Sequence, residues 1–420
     1  MNILIVNGYV RQNKGDAALL SVLCEELQKT FPKATVVISS QEDPAEDPTF
    51  ESWRNVGSLN RYCFDPATGK LSHLLRIWLC CMTFLFLHFV PKKYRLAAIR
   101  ILPRRFQLFM RNLLQADLVV SMGGGYLNGD RSLMAQIAVY LMVAPLSLAK
   151  HFGACVVCAP QSMGPFATRF QKKIVTQTLE KVDLVLTREA RTFKILTGLS
   201  AKFPLRQSVD SGFLFKTTAT TNLRRQLQVD AHDLLVGVTV RRWLDAKRQH
   251  AYEQAVAETV EYLVTHHQAT VVFIPQVTSS LGGDDDRVTA ENVYARITHK
   301  NHVHRLQEHY THQQIKSLYS ELDMLIGTRF HSVIFSLTSL VPALAIEYEH
   351  KTSGIMHDLA LDTWVVKIEK ATPAVLIHKI DELIAGKDDY REHLEQVLPA
   401  YIARAQKATT LIKETYELTR

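Results

Sequence analysis

Arg329 and His331, in the run Gly327-Thr328-Arg329-Phe330-His331-Ser332, set a fixed cation beside a titratable imidazole at the point where a strand gives way to a helix. Arginine offers a planar fork of donors that fits carboxylate or phosphate, and histidine can carry a proton near neutral pH, so the pair points to chemistry on an anion. The apolar run 322–326 predicts a buried strand, Gly327 supplies a turn, and Val333, Ile334, Leu337 and Leu340 recur at helical spacing. If the connecting residues are extended, Arg329 and His331 project to one side with Phe330 opposite. A helix N-terminus opening near Ser332 would add backbone N–H groups and a positive dipole end at the same place. An ordinary structural arginine at a strand-to-helix loop is the competing explanation.

Other loops carry residues of the same kind. Asn13-Lys14-Gly15-Asp16 follows the first apolar run; it lacks the Walker A lysine followed by Ser or Thr, and it lacks GxGxxG, so neither an ATPase nor a nicotinamide site is claimed. Gly123-Gly124-Gly125 follows the run 118–121 and would let a ligand approach backbone N–H groups closely, while Gln161-Ser162 opens a third polar turn. Arg188 and Arg241 each stand just beyond a strand-like run, where a surface ion pair is the alternative to a ligand contact. Asp284-Asp285-Asp286 fits the acidic start of a helix better than a metal site, and no metal is assigned. His299, His302, His304, His309 and His312 lack a zinc spacing, and Cys155 and Cys158 fall within a strand-like run, where buried thiols are expected.

The elements that must hold these loops alternate short apolar strands with helical stretches. Strands are predicted at 2–6, 35–39, 117–121, 154–159 and 184–187, then at 234–240, 270–275, 323–326 and 342–346. That rhythm implies parallel sheets with helices on both faces, and in such sheets ligands lie beyond the carboxyl ends of strands. A polar, Thr-rich stretch at 216–233 divides the chain into domains 1–215 and 234–420, two doubly wound Rossmann-like units facing a cleft, with the C-terminal helices able to pack back on the first. The 420 residues suit two cores, and 47% hydrophobic with 21% charged residues is a folded profile. No signal segment precedes 3–6, and the six cysteines have no disulfide spacing, so a reducing cytoplasm is expected.

The net charge of +8 is concentrated. No Asp or Glu occurs in 66–116, yet Lys70, Arg76, Lys92, Lys93, Arg95, Arg100, Arg104, Arg105 and Arg111 all fall there. The same insertion holds the apolar stretch 77–90, whose rise as a helix, about 21 Å, is short of the roughly 30 Å hydrocarbon core of a bilayer. Peripheral contact with an anionic membrane is the expectation, against a buried core helix beside a solvated basic one. Aromatics cluster in the apolar run instead of alternating with the basic residues, which argues against a nucleic-acid partner.

Taken together, the motifs resemble the polysaccharide pyruvyl transferase family. The resemblance rests on Asn13 to Asp16, Gly123-Gly124-Gly125-Tyr126-Leu127, Gln161-Ser162-Met163-Gly164-Pro165, Thr187-Arg188-Glu189, Asp210-Ser211-Gly212, the Arg329/His331 run and Glu347-Tyr348-Glu349-His350-Lys351. Phe330 stands where the family usually has an aliphatic residue. The resemblance implies a glycosyltransferase B-like fold, no cofactor, and transfer of a pyruvyl unit from phosphoenolpyruvate to sugar hydroxyls as a cyclic ketal. It further implies that Arg329, with Arg188 or Arg241 and with Lys351, binds the donor, that His331 is the general acid, and that Glu347 and Glu349 are candidate bases. His331 is expected to gain its proton only when the dianionic donor is bound. Asn13, Gly15, Asp16, Gly123, Gly124, Gly125, Gln161 and Ser162 would line the substrate site. The acceptor would be a glycan or a lipid-linked sugar of a surface polysaccharide. A glycosyltransferase B-type enzyme with a nucleotide-sugar donor is the alternative, and a catalytically silent scaffold binding anionic glycan or membrane is a third.

Overall fold

Runs such as Ile3-Leu4-Ile5-Val6 and Leu235-Val236-Gly237-Val238 are apolar on both sides, which is what a strand covered by helices on each face requires. In the computed structural model, which describes residues 1–200, 202–279 and 284–420, with the backbone alone of Arg105, these runs form two parallel sheets. The chain divides into two compact units, one of residues 1–10, 19–211 and 404–420, the other of 11–18 and 212–403.

The first sheet contains β1 (Asn2–Gly8), β2 (Thr35–Ser40), β3 (Thr49–Phe50), β4 (Trp53–Asn55), β5 (Leu118–Ser121), β6 (Gly124–Gly129), β7 (Cys155–Phe166), β8 (Leu184–Thr187) and β9 (Leu205–Gln207). Its order is β3-β4-β2-β1-β5-β7-β8-β9, with β6 paired to β7, and every pairing is parallel except β3 with β4. The second sheet contains β10 (Leu235–Thr239), β11 (Thr270–Phe273), β12 (Val303–Arg305), β13 (Met324–Gly327), β14 (Ala343–Glu347) and β15 (Val365–Lys367). Its order, β12-β11-β10-β13-β14-β15, runs outward in both directions from β10, so the strand order reverses between β10 and β13. That is the topological switch point at which doubly wound sheets bind ligands.

All nine strands expected from the apolar runs are present, most of them shifted by a residue or two. The division differs from the expected one: it falls at Ser211/Gly212, because the polar stretch is laid onto the second unit. There Thr217 donates to the Gln313 carbonyl (2.9 Å), Thr221 to Glu321 (2.6 Å), and Arg224 pairs with Asp323. Residues 11–18, expected in the first domain, cluster with the second unit, and 404–420 cluster with the first. In that last segment Ile412 and Tyr416 are buried, and Tyr416 meets Phe31 edge-on at 5.5 Å.

The apolar stretch 77–90 belongs to a longer helix than expected, Lys70–Phe89, about 30 Å long. Leu71, Leu74 and Leu75 extend its apolar pattern upstream. By length and composition this helix and Leu133–Phe152 are each able to cross a membrane. One face of Lys70–Phe89, with Cys80, Thr83, Phe84 and Leu87, is buried in the first unit.

Candidate active site

The carboxyl ends of β10 and β13 carry Arg241 and Arg329, one on each side of the switch point. The turn after β13 is pinned to β10: Thr328 N–H donates to the Thr239 carbonyl (3.1 Å) and hydroxyl (3.0 Å), and the Thr239 and Ser332 hydroxyls are 2.8 Å apart. Tyr252, fully buried, places its hydroxyl 2.7 Å from that of Thr328. Arg329 is the extended N-cap of the helix Phe330–Leu337, so the helix begins earlier than Ser332 and His331 already lies in its first turn. The expected extended segment, with Arg329 and His331 on one side and Phe330 opposite, is therefore replaced by a helical step between residues 330 and 331.

The far end of this helix is held by Lys316. Its ammonium, pushed down to about 7 by burial, donates to the Phe335 carbonyl and the Thr338 and Ser339 hydroxyls, each at 2.7 Å. Both termini of the helix are thus tied down, which gives His331 a rigid platform.

Arg329 is 7% exposed. Its Nε donates to Asp286 (2.9 Å) and its Nη atoms to Asp286 (2.5 Å) and to Asp284 (2.7 and 3.1 Å). Burial alone would depress the guanidinium, but these two carboxylates hold it above its ordinary value. Asp286 also accepts from the backbone N–H groups of Gln276 and Val277, both at 2.9 Å. Arg329 is therefore not an open cation but the centre of a buried ion-pair network. Asp284 reaches Arg241 as well (3.3 Å), so one carboxylate bridges two guanidinium groups.

Arg241 packs against two neighbouring rings, 4.1 Å from the centre of Tyr348 and 4.7 Å from that of Trp243, which are 4.9 Å from each other. Lys351 lies 5.3 Å from the ring centres of Phe330 and Tyr348 and 2.7 Å from Glu349. Burial alone would raise the Glu349 carboxyl, but Lys351 and then Arg241 hold it below the ordinary range. The same two cations, against the same effect of burial, hold the Tyr348 phenol below its usual value. Glu347 is buried and accepts from the Ser353 hydroxyl (2.5 Å).

Residues 11–18 complete this part of the second unit. Asn13 and Asp16 bond to each other, Nδ2 to Oδ2 at 2.6 Å, and the Asn13 backbone bridges Val277. Gly15 lies against the imidazole: a Cβ built on it would stand 2.0 Å from His331 Nδ1 and 2.7 Å from His331 Cβ. Gly15, expected to line the substrate site, packs directly on His331, whose ring occupies the space a side chain would need.

Arg188 and the remaining expected residues lie in the first unit. Arg188 is 2% exposed; it pairs with Asp210 (2.7 Å) and Glu189 (3.4 Å) and donates to Ser162 (2.7 Å). Its guanidinium is committed to this buried network in the first unit, whereas Arg241 lies with Arg329 in the second. Gln161 is likewise buried. Gly123-Gly124-Gly125 does not form an open anion nest: Gly124 begins β6, paired with β7, and a Cβ on Gly123 would meet the Pro160 carbonyl oxygen at 2.6 Å.

Four residues of the second-unit site were not singled out as functional in the sequence: Asp284, Asp286, Trp243 and Tyr348. The acids do open a helix, Asp286–Tyr294 with Asp285 as N-cap, as their position suggested, but nothing in the spacing ties them to Arg329. A signal for the two rings was present, since each lies within three residues of the carboxyl end of a strand or of a candidate cation.

A sequence model of the family described as polysaccharide pyruvyl transferase matches residues 13–350. The chain is 23% identical over 319 residues to the amylovoran biosynthesis protein AmsJ of Erwinia amylovora, which covers 71% of this chain and 72% of that one. Among solved structures it is similar to Anabaena HepE in complex with UDP-glucose (14% identity, TM-score 0.58, 99% of each chain). Sucrose-phosphate synthase from Thermosynechococcus elongatus is comparable (12% identity, TM-score 0.58, 100% of this chain and 98% of that one). At such identities the likeness shows the fold, which is glycosyltransferase B-like.

Proposed function

This chain belongs to the polysaccharide pyruvyl transferase family, and from that premise we propose that its donor is phosphoenolpyruvate and its product a cyclic pyruvate ketal on a sugar. The observation that carries the reading is Asp284, whose carboxylate lies between the guanidinium groups of Arg329 and Arg241. A carboxylate fits there, and phosphoenolpyruvate brings one together with a phosphate. With 33% of its side chain exposed, Asp284 can give way to the donor, while Asp286, at 2%, continues to hold Arg329. Lys351 adds a third cation beside the rings of Phe330 and Tyr348.

His331 protonates the methylene carbon of the donor as a sugar hydroxyl adds to its central carbon. A second hydroxyl of the same sugar then adds to that carbon and the carbon–oxygen bond to phosphate breaks, so two hydroxyl protons leave, one methyl group forms and phosphate departs. Glu349 serves as counter-ion to Lys351, which leaves Glu347 to accept a hydroxyl proton. The acceptor is a sugar of a surface or exopolysaccharide or of its lipid-linked precursor, in line with the part of AmsJ in amylovoran biosynthesis. The setting is the cytoplasm, supported by six free thiols.

The test is incubation of the purified protein with phosphoenolpyruvate and candidate glycans. Release of phosphate with a product heavier by one ketal-linked pyruvyl unit is expected; release of a nucleotide from a nucleotide sugar instead would overturn the reading in favour of a glycosyltransferase.

Gly15 gives a second expectation. Gly15→Ala drives the imidazole of His331 from its place, and a displacement on the order of 1 Å costs about 10²-fold in kcat. The KM for donor should change little, because Arg241, Arg329 and Lys351 are untouched. Steady-state kinetics on the folded variant checks this, and an unchanged kcat would show that the ring position does not matter.

A further inference from the structure

The helix Lys70–Phe89 is apolar on two faces, and the first unit covers one of them. Opposite the buried Cys80, Thr83, Phe84 and Leu87, a second stripe of Leu71, Leu75, Trp78, Met82, Phe86 and Phe89 recurs every three or four residues, with exposures from 39% to 82%. An unbroken apolar stripe of this length facing solvent marks an interaction surface. Beyond the helix the exposed side chains continue with Ile101 (78%) and Tyr94 (55%), interleaved with the exposed cations Lys92, Lys93, Arg100 and Arg104. No acidic residue occurs from 66 to 116, and the flanking Asp65 is engaged by Arg76 at 3.3 Å.

We propose that this stripe docks on an anionic lipid bilayer, the helix lying in the interface with Leu71, Trp78 and Phe86 among the acyl chains and the basic segment 92–104 on the headgroups. Charge chooses the occupant. A protein partner or a second copy of this chain would meet the apolar stripe equally well, but a continuous negative surface is what a segment with cations and no counter-charge complements. Spanning is excluded by the inner face, because Cys80, Phe84 and Leu87 belong to the core of the first unit and would have to leave it. The docking does not depend on the identity of the donor; it concerns a different surface and is tested without substrate.

The test is co-sedimentation of the full chain with vesicles of phosphatidylcholine alone or mixed with phosphatidylglycerol, at low and high salt. Binding to the anionic vesicles is expected, with marked weakening in high salt, since charge–headgroup attraction is screened within a Debye length. Trp78→Glu/Phe86→Glu, two exposed positions, should lower the bound fraction about tenfold at either salt with an unchanged circular dichroism spectrum. Lys92→Glu/Lys93→Glu should lower it at low salt only. The proposal is overturned if the wild-type protein binds anionic vesicles at neither salt, if the Trp78/Phe86 variant binds as wild type does, or if that variant merely dissolves a self-associated form that has no affinity for lipid.

Discussion

Replacement of His331 by alanine should, under the proposed mechanism, lower turnover by about 10²- to 10⁴-fold, the usual contribution of a positioned general acid, while donor affinity stays close to wild type. The reason lies in the division of labour within the second unit. The groups suited to holding an anion, Arg241, Arg329 and Lys351, are tied to Asp284, Asp286, Glu349 and the rings of Trp243 and Tyr348, and none of these ties involves the imidazole. Single-turnover kinetics with phosphoenolpyruvate, together with a separate measurement of donor binding, checks the expectation. A near-wild-type rate would remove His331 from the chemistry, and a large loss of affinity would make it a binding residue.

Arg329→Lys should have the second large effect, in stability as well as in donor binding. Lysine keeps the charge but cannot give the fork that reaches Asp286 through Nε and Nη while also engaging Asp284. Asp286, 2% exposed, is left with an incompletely compensated charge, and disrupting a buried pair of this kind costs about 3 kcal/mol. Thermal or denaturant unfolding should register that loss. Donor affinity should fall with it, because the bridge between Arg329 and Arg241 depends on both forks. Unaltered Tm and unaltered affinity together would show that the network matters neither to the fold nor to the site.

The legible part of this architecture was the part that depends on local pattern. Strands buried on both faces read as continuous apolar runs, and β8 was found with its exact limits. The strand β6 was missed because Gly124-Gly125-Tyr126-Leu127-Asn128-Gly129 has few strand-forming residues and owes its conformation to pairing with β7. For the same reason β7 runs through Gln161 and Ser162, which look like a turn in isolation. At the site, Arg329, Arg241 and His331 stood out through their positions near strand ends, and Lys351 only through the family resemblance. Their partners did not, since Asp286 lies 43 residues from Arg329 and only the fold brings the two together. Arg188 likewise has a partner that its position did not reveal. It stands just after β8, and Asp210, 22 residues away, holds its guanidinium.

The path of the backbone also governs how the molecule is made. Because residues 404–420 fill out the first unit and 11–18 the second, neither unit is one uninterrupted stretch of chain. A nascent polypeptide that has reached residue 211 still lacks Ile412 and Tyr416, so the first unit cannot close its core until the segment 404–420 has emerged from the ribosome. Severing the gene between residues 211 and 212 should accordingly yield two fragments that are each incomplete, and that recover native structure only when supplied together with their missing pieces.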